Sequence, residues 1–296
     1  MSTKRALLVG INYLKNPSAR LNGCIEDINN IRGVIMDAYG YLEQNITMLR
    51  DDDPNKTPTK ANIMVALQSI IANTGVNDEI WVHYSGHGTQ IRDRNGDEPD
   101  GADESVVPVD YMTAGMISDD ELFNMVRNIR GRAFLVFDSC HSGSICDLQY
   151  SINYVNGAFS KSITSNKRIA NPNIVVMSGC RDHQTSADTF DNTVKEFGGA
   201  LTISLIDSLR KNLHNADVLK VYNDTCYTLI TAGYDQIPVL SSSAIDPLMS
   251  FSRPVIIKPV FVNASKPTTT STVVKKEVVE VMPLVKTRKP TLAMQF

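Results

Sequence analysis

Two short segments of this chain place a histidine and a cysteine among glycines and serines, and each follows an apolar run. The first reads HYSGHG and contains His87; the second reads DSCHSG and contains Cys140. Buried strands of an open α/β sheet present reactive side chains at their carboxyl ends. His87 lies 53 residues before Cys140, and a separation of about 50 is typical of one class of cysteine nucleophile and its base. The pair predicts the Cys-His dyad of a cysteine peptidase.

The residues around the pair suit this chemistry. A thiol has an ordinary pKa of ~8.5, so it needs an adjacent imidazole or dipole to become an effective nucleophile at neutral pH. Glycines beside His87 allow a sharp turn and the approach of a substrate carbonyl, and the amides of Gly88 and Cys140 are candidates for an oxyanion hole. A lone cysteine would more often be a buried core thiol, but two motifs at strand ends favour the dyad.

Three rival motifs fail at single positions. A phosphate-binding Cys-x5-Arg loop would need arginine where Cys146 stands. His83 and His87 have the spacing of a zinc-binding HExxH helix, but Tyr84 replaces the glutamate and the segment follows a strand. A dinucleotide fingerprint begun at Gly86 would need glycine in place of Ile91.

Acidic residues between the two motifs raise the question of a metal. Four of them match an EF-hand pattern, namely Asp93, Asn95, Asp97 and Glu104, but Glu98 occupies the position that requires glycine. A wider set could surround a hard cation: Asp97, Asp100, Asp103, Asp119, Asp120 and Asp147. From spacing alone, Asp119 and Asp120 are better explained as first-turn acids at a helix N-terminus.

Composition is that of an ordinary soluble protein, with 42% hydrophobic and 21% charged residues among 296. The net charge of −3 divides into +4 for residues 262–296 and −7 for residues 1–261. An acidic body argues against nucleic-acid binding and favours basic ligands or metal cations.

Neither a membrane span nor a signal sequence is evident, because no apolar stretch approaches the required ~18 residues. The five cysteines are an odd number without CxxC spacing. We therefore expect reduced thiols, no membrane association and a cytoplasmic location.

Apolar runs alternate with segments of helical period. The predicted strands span residues 6–11, 46–49, 80–84, 133–137, 174–177 and 238–240. Helices are predicted over 25–38, 58–73 with Thr57 as N-cap, 119–129 behind a Ser118 capping box, 200–212 and 217–232. Such alternation predicts a mostly parallel sheet with helices on both faces.

The domain boundaries follow from composition. Residues 1–261 are predicted to form one domain, with a large part at about 1–150, a polar surface connection at 151–173 and a small part at 174–261. The Thr, Lys, Val and Pro bias of residues 262–296 predicts a disordered basic tail.

The ordered blocks of the chain closely resemble a type I metacaspase, a caspase-like cysteine peptidase. The matching blocks are GINYL, LNGCIEDINNI, PTKANI, HYSGHGTQ, DGADESVVPVD, ISDDEL, FDSCHSG, MSGCRDHQTSAD and PVLSSS. The resemblance implies a monomer with a caspase-like fold, dependence on Ca²⁺, and cleavage of protein or peptide substrates after Arg or Lys.

Residue by residue, the resemblance implies that His87 is the general base and Cys140 the nucleophile. It implies a pocket for the substrate's basic side chain at Cys24, Asp27, Ser85 and Asp138. It also implies a calcium site at Asp103, Asp119, Asp120 and Asp147, which raises the metal interpretation above helix capping. Two aspartates in the pocket would give a guanidinium or ammonium group charged partners.

Further expectations concern processing and alternatives. The connection at residues 151–173 carries Lys161, Lys167 and Arg168, so we expect self-cleavage there.

A catalytically idle caspase-like interaction module is the alternative from another class, although intact His87 and Cys140 oppose it. An Asn-specific legumain-like peptidase is a second alternative, and it would lack the acidic pocket.

Overall fold

A twisted sheet of eight strands organises the protein, whose computed structural model describes residues 2–92, 102–140, 142–155, 157–179, 197–234 and 236–254. The strands are β1 (Lys4–Gly10), β2 (Ile46–Arg50), β3 (Glu79–Ser85), β4 (Gly88–Arg92), β5 (Ala102–Val106), β6 (Ile117–Ser118), β7 (Arg132–Asp138), β8 (Tyr150–Val155), β9 (Ala158–Ile163), β10 (Ile174–Ser178), β11 (Ala216–Asp217), β12 (Val239–Ser242) and β13 (Ser250–Phe251). The helices are α1 (Cys24–Tyr39), α2 (Lys60–Ala72), α3 (Tyr111–Ala114), α4 (Asp119–Val126), α5 (Phe197–Lys211) and α6 (Val218–Thr231).

The strand order of the large sheet is β2-β1-β3-β7-β10-β12-β8-β9. The first five strands run parallel, and the last three pair antiparallel. A smaller sheet, β4-β5-β6, follows β3 in the chain, and β11 pairs with β13. The predicted mostly parallel sheet is confirmed.

Alternate residues of the buried strands pack on opposite faces. In β1, Ala6 and Leu8 belong to a core that also contains side chains of α1, α5 and α6. Leu7 and Val9 belong to a second core, which contains side chains of α2 and α4. Because both faces are covered, the middle residues of the central strands are mostly apolar on both faces, and the predicted flanking of the sheet by helices is confirmed.

The helix termini agree with the sequence in one case and differ in another. The predicted capping box of α4 is present, with reciprocal hydrogen bonds between Ser118 and Glu121. Helix α2 begins at Lys60 and is capped by Thr59, not by Thr57 as predicted. The hydroxyl of Thr57 instead donates to the carbonyl of Pro54 at 3.1 Å, so it belongs to the preceding turn.

Residues 151–173 are not the irregular connection that the sequence predicts. They contain β9 and most of β8, which pair as a hairpin at the edge of the sheet. Every residue of β9 is exposed, and a solvent-facing edge strand has no buried face to make it apolar. The hairpin could not be recognised from the sequence because the residues of this segment are polar.

The unit formed by residues Met1–Ser252 contains all of these elements, and Arg253–Phe296 form a second unit. The predicted tail at 262–296 and the loop acids Asp93, Asp97 and Asp100 lie outside the described residues. Within the described residues, no helix has the length and apolarity needed to cross a membrane.

Candidate active site

The two motifs meet where β3 and β7 end side by side. Ser85 lies opposite Asp138 in the parallel register of these strands. Beyond them, the backbones of Gly88 and Cys140 are in close contact, because a Cβ on Gly88 would lie 2.0 Å from the carbonyl oxygen of Cys140. Only glycine fits this approach. The structure thus brings the histidine motif against the cysteine motif, as the sequence predicts.

His87 is held in one orientation by its ring and its backbone. Its Nε2 lies 2.7 Å from the carbonyl oxygen of Ala19, and since a carbonyl can only accept, Nε2 carries the hydrogen. Its backbone N–H donates to Oη of Tyr13 at 3.0 Å, and the two rings lie 4.7 Å apart. In the neutral ring, Nδ1 is therefore the basic nitrogen.

Tyr13 was not predicted to have a role. Its φ of 52° lies in the left-handed region, and a bulky residue held there commonly marks a functional site. Its hydroxyl donates to the carbonyl of Val107 at 2.6 Å, and burial raises its pKa, so the phenol is neutral. Tyr13 supports the backbone of His87 from the loop after β1.

Cys140 differs from the other described cysteines in its exposure. Cys24, Cys146 and Cys226 are buried, whereas Cys140 is partly exposed, and none of the four forms a disulfide. Burial raises the pKa of Cys24 to about 12 and also raises that of Cys146. The thiol predicted to be the nucleophile is thus the accessible one, which argues against the core-thiol interpretation.

The predicted pocket residues lie together beneath this edge. Cys24, Asp27, Ser85 and Asp138 are all buried. The hydroxyl of Ser85 donates to Oδ2 of Asp27 at 2.7 Å. Oδ2 of Asp138 accepts from the backbone N–H of Thr202 at 2.8 Å and from its hydroxyl at 2.6 Å. Oδ1 of Asp138 has no hydrogen-bond partner among the described residues.

Thr202 and His83 complete this network and were not predicted. The Thr202 hydroxyl gives its hydrogen to Asp138, so it can only accept from Nε2 of His83, 3.0 Å away. His83 is fully buried, and burial lowers its pKa to about 3. The imidazole is therefore neutral and adds no positive charge beside Asp138.

Burial raises the pKa of both pocket carboxylates. Burial raises the pKa of Asp27 to about 6, although the Ser85 hydrogen bond opposes this rise. Burial also raises the pKa of Asp138, and the charge of Asp27 raises it further. Among the described residues, these two buried acids have only neutral donors and one carboxylate oxygen accepts no hydrogen bond. Such a site is suited to a cation.

A second acidic group, here called the carboxylate cluster, comprises Asp119, Asp120 and Asp147. One carboxylate oxygen from each lies within 4.8 Å of the others. Asp119 and Asp120 open α4, and Asp147 follows β7 with a φ of 45° in the left-handed region. Strained backbone at a non-glycine residue persists where surrounding contacts impose it.

Burial raises the pKa of Asp119 to about 9, and the negative charges of Asp147, Glu104 and Asp103 add to the effect. Oδ2 of Asp119 accepts from the backbone N–H of Glu104 at 3.0 Å. Asp103, predicted as a metal ligand, is outside the group of three although its charge reaches Asp119. Glu104 is a neighbouring acid to which the prediction gave no such role.

These residues fit a hard divalent cation. Calcium takes carboxylate oxygens as ligands, and the raised pKa of Asp119 reflects burial first and then the neighbouring negative charges, which a cation would balance. The three carboxylates could supply part of the oxygen set that a calcium ion takes. The helix-capping interpretation accounts for the position of Asp119 and Asp120 but not for Asp147.

The three predicted processing residues occupy different settings. Lys161 lies in β9, and its ammonium forms an ion pair with Asp246. Lys167 contacts Asp120 and Asp147 of the carboxylate cluster. Arg168 is exposed. The setting of Lys167 could not be seen in the sequence.

Comparison with known proteins gives a consistent result. The family described as "Metacaspase, peptidase C14 domain" matches residues 4–149. Metacaspase-1B of Neosartorya fischeri is 36% identical over 288 residues, covering 81% of this chain and 69% of that protein. Metacaspase-1 of Cryptococcus neoformans var. neoformans serotype D is 34% identical over 292 residues, covering 81% and 62%.

One solved structure is similar in fold. It is protein GSU0716 from Geobacter sulfurreducens, with a TM-score of 0.59 and 22% sequence identity, covering 82% of this chain and 94% of that chain. At this identity the likeness concerns the fold alone.

Proposed function

The chain belongs to the metacaspase family of caspase-like cysteine peptidases, and on that premise we propose that it is a calcium-dependent endopeptidase that cleaves after Arg or Lys. One observation carries the specificity: Asp27 and Asp138 are buried together, and Oδ1 of Asp138 has no partner among the described residues. A buried carboxylate pair that finds no cation among the described residues favours a substrate that brings one.

In the proposed reaction, Nδ1 of His87 takes the thiol proton of Cys140, and Sγ attacks the carbonyl carbon of the scissile bond. The amides of Gly88 and Cys140 would stabilise the oxyanion. The proton then passes to the leaving amine, and a water molecule hydrolyses the thioester and restores the thiol. The hydrogen bond from His87 Nε2 to the carbonyl of Ala19 supports this proposal, because it leaves Nδ1 as the base.

The pocket would bind the side chain of the substrate residue that precedes the cleaved bond. A guanidinium or ammonium group would contact Asp27 and Asp138, with Cys24 and Ser85 beside them. An aspartate substrate would add a third negative charge to the same buried space, which is strongly unfavourable. Selectivity against Asp therefore follows from the pocket's charge.

Calcium would be held by Asp119, Asp120 and Asp147, with Asp103 close by. When bound, it would supply positive charge that joins the start of α4 to the turn after β7.

Self-cleavage at Lys161, Lys167 or Arg168 belongs to the same proposal, because these side chains match the pocket. The monomeric state and cytoplasmic location stay predictions.

The test is hydrolysis of peptides that differ only in Arg, Lys, Asp or Asn before the cleaved bond, with millimolar-range calcium or with chelator. We expect turnover of Arg and Lys peptides only, and only with calcium. Cys140→Ala should lower it to below about one thousandth. Cys226→Ala removes a buried thiol of α6 and serves as control, with turnover unchanged.

Different failures identify different errors. Equal turnover of Asp and Arg peptides would contradict the pocket assignment. Turnover that persists in chelator would return Asp119 and Asp120 to a capping role. A folded Cys140→Ala protein with full activity would contradict the nucleophile.

A further inference from the structure

A lysine of the chain itself lies in the carboxylate cluster. Nζ of Lys167 is 2.7 Å from Oδ1 of Asp120 and 2.7 Å from Oδ2 of Asp147. It also lies 5.4 Å from the centre of the Phe123 ring. Two carboxylates and an aromatic face are groups that attract a cation. They belong to α4 and to the turn after β7, so the ammonium bridges two elements that are separate in sequence.

The ammonium and a metal ion would be held by the same carboxylates, Asp120 and Asp147. Calcium binds carboxylate oxygens at about 2.3–2.6 Å, so an ion held by Asp120 and Asp147 would overlap the position of Lys167 Nζ. Two cations at that separation also repel each other strongly in a partly buried site. The two occupants therefore exclude one another.

We propose that Lys167 is an internal ligand of the carboxylate cluster that a divalent cation must displace, and that its displacement frees residues 164–171 for cleavage after Lys167. The inference rests on the proposed function, from which it takes the calcium site and the preference for Arg or Lys. It adds the order of events and selects one of three processing residues.

The contacts of this segment explain why the ammonium matters. At one end the Thr164 N–H donates to the carbonyl of Gln149 at 3.0 Å. At the other end, the Asn171 amide donates to the carbonyls of Ile129 and Gly131 at 3.0 and 2.7 Å. Between these anchors, Lys167 bridges to the cluster. Its release would loosen the middle of the segment.

Lys161 is a useful contrast. It lies within β9, opposite Ile152 in the antiparallel register with β8, and its ammonium pairs with the exposed Asp246. A peptidase must take its substrate in an extended, accessible form, and sheet pairing opposes this. Calcium at the cluster would change neither contact. Only the cleavage after Lys167 should therefore depend on displacement.

The cleaved bond is the peptide bond between Lys167 and Arg168. Addition of one water molecule leaves a carboxylate on Lys167 and a new amino terminus on Arg168. Once the bond is cut, Lys167 is held only from its amino-terminal side. The ammonium then returns to the cluster at a greater loss of chain entropy, so cleavage favours the metal-bound state.

Calorimetric titration of calcium into full-length protein tests the competition, with Cys140→Ala present throughout to prevent self-cleavage. Lys167→Gln should bind calcium about tenfold more tightly, because two partly buried ion pairs no longer oppose the metal. Lys167→Arg keeps a cation and should stay close to the parent. Lys161→Gln removes an exposed ion pair elsewhere and should leave the affinity unchanged.

Limited trypsin digestion of the same proteins tests the release. In the parent, calcium should accelerate cleavage after Lys167 and Arg168 but not after Lys161. In Lys167→Gln, cleavage after Arg168 should be fast with or without calcium.

Equal calcium affinity of the parent and Lys167→Gln would overturn the inference while leaving the calcium site standing. Trypsin cleavage of residues 164–171 at the same rate with and without calcium in the parent would also overturn it. If neither protein binds calcium, the proposed metal site fails as well, so the two failures are distinguishable.

Discussion

The pocket and the carboxylate cluster both gather acidic side chains in buried surroundings, but they balance the charge differently. In the pocket, Asp27 and Asp138 are held by hydrogen bonds from Ser85 and Thr202. Neither forms an ion pair with another described residue. In the cluster, the ammonium of Lys167 contacts two of the three carboxylates.

The difference concerns where the compensating cation comes from. Neutral donors fix the pocket carboxylates in place without cancelling their charge, so a cation supplied by the substrate can complete the site. In the cluster, the chain supplies a cation of its own, and an external cation must compete with it. The pocket can thus accept a substrate cation directly, whereas a divalent cation can enter the cluster only by replacing the ammonium of Lys167.

The largest expected effect comes from removing one pocket charge. Asp138→Asn should lower kcat/KM for an Arg peptide by roughly thirty-fold or more, because a buried cation loses a charged partner. Calcium affinity should change by less than about twofold, since the pocket and the cluster use different residues. Peptide kinetics and calcium titration of the same preparation measure both quantities.

Asp224→Asn is the matched control for this prediction. Asp224 of α6 is also buried, but it pairs with Lys220 of the same helix and with Asn212, which follows α5. Its loss should lower stability and leave the preference for Arg over Asp peptides intact. An equal loss of kcat/KM in both variants would assign the effect to general destabilisation.

The second prediction uses pH to test whether the pocket carboxylates must be ionised to bind a substrate cation. Since the pKa of Asp27 is raised to about 6, a guanidinium ligand should bind less tightly as the pH falls below that value. KM for an Arg peptide should rise about tenfold per pH unit there. Asp138 also contributes to this acid limb, because burial raises its pKa as well, so Asp27→Asn should remove only the part of the limb that Asp27 sets.

The stability of the free protein should respond with the opposite sign. Protonated Asp27 stabilises the folded state most below its ordinary pKa of 3.8, and that contribution is lost as the pH rises through about 6. Benzamidine, a small amidinium, should therefore raise the melting temperature of Cys140→Ala more at about pH 7.5 than at about pH 5. An equal rise at both pH values would contradict ionisation of the pocket.

The sequence predicted the parallel strands and the approach of the histidine motif to the cysteine motif because both depend on local patterns. Apolar runs define β3 and β7, and parallel strands must end at one edge. The β8–β9 hairpin escaped prediction because an exposed edge pair lacks an apolar face. The sequence predicts Thr57 as the cap because it precedes a proline, whereas Thr59 makes the hydrogen bond.

The parts of the site that were missed come from distant segments. Thr202 lies 64 residues from Asp138, and Lys167 lies 47 from Asp120. No spacing rule joins such pairs, because only the packing of α5 and of the segment after β9 brings them together. Tyr13 lies within the GINYL block, but its support of His87 depends on an unusual φ that sequence does not display.

The smallest expected effect concerns Thr202, which orients the carboxylate of Asp138 through neutral hydrogen bonds. Thr202→Val removes the hydroxyl that donates to Asp138 and accepts from His83, while the backbone N–H remains. Loss of a hydrogen bond that favours the ionised carboxylate should raise the pKa of Asp138 further. We expect KM for an Arg peptide to rise about fivefold, with kcat little changed.

A positioning role predicts more than a loss of affinity. The acid limb of the KM profile should move to higher pH in Thr202→Val, and Thr202→Ser should restore both KM and the limb because it keeps the hydroxyl. Thr225→Val removes another buried threonine hydroxyl, which bonds within α6 and to Ser208, and should move neither. If Thr202→Val raised KM without shifting the limb, Thr202 would act through packing alone, and the pocket would need no neutral donor to keep its carboxylate ready for a substrate cation.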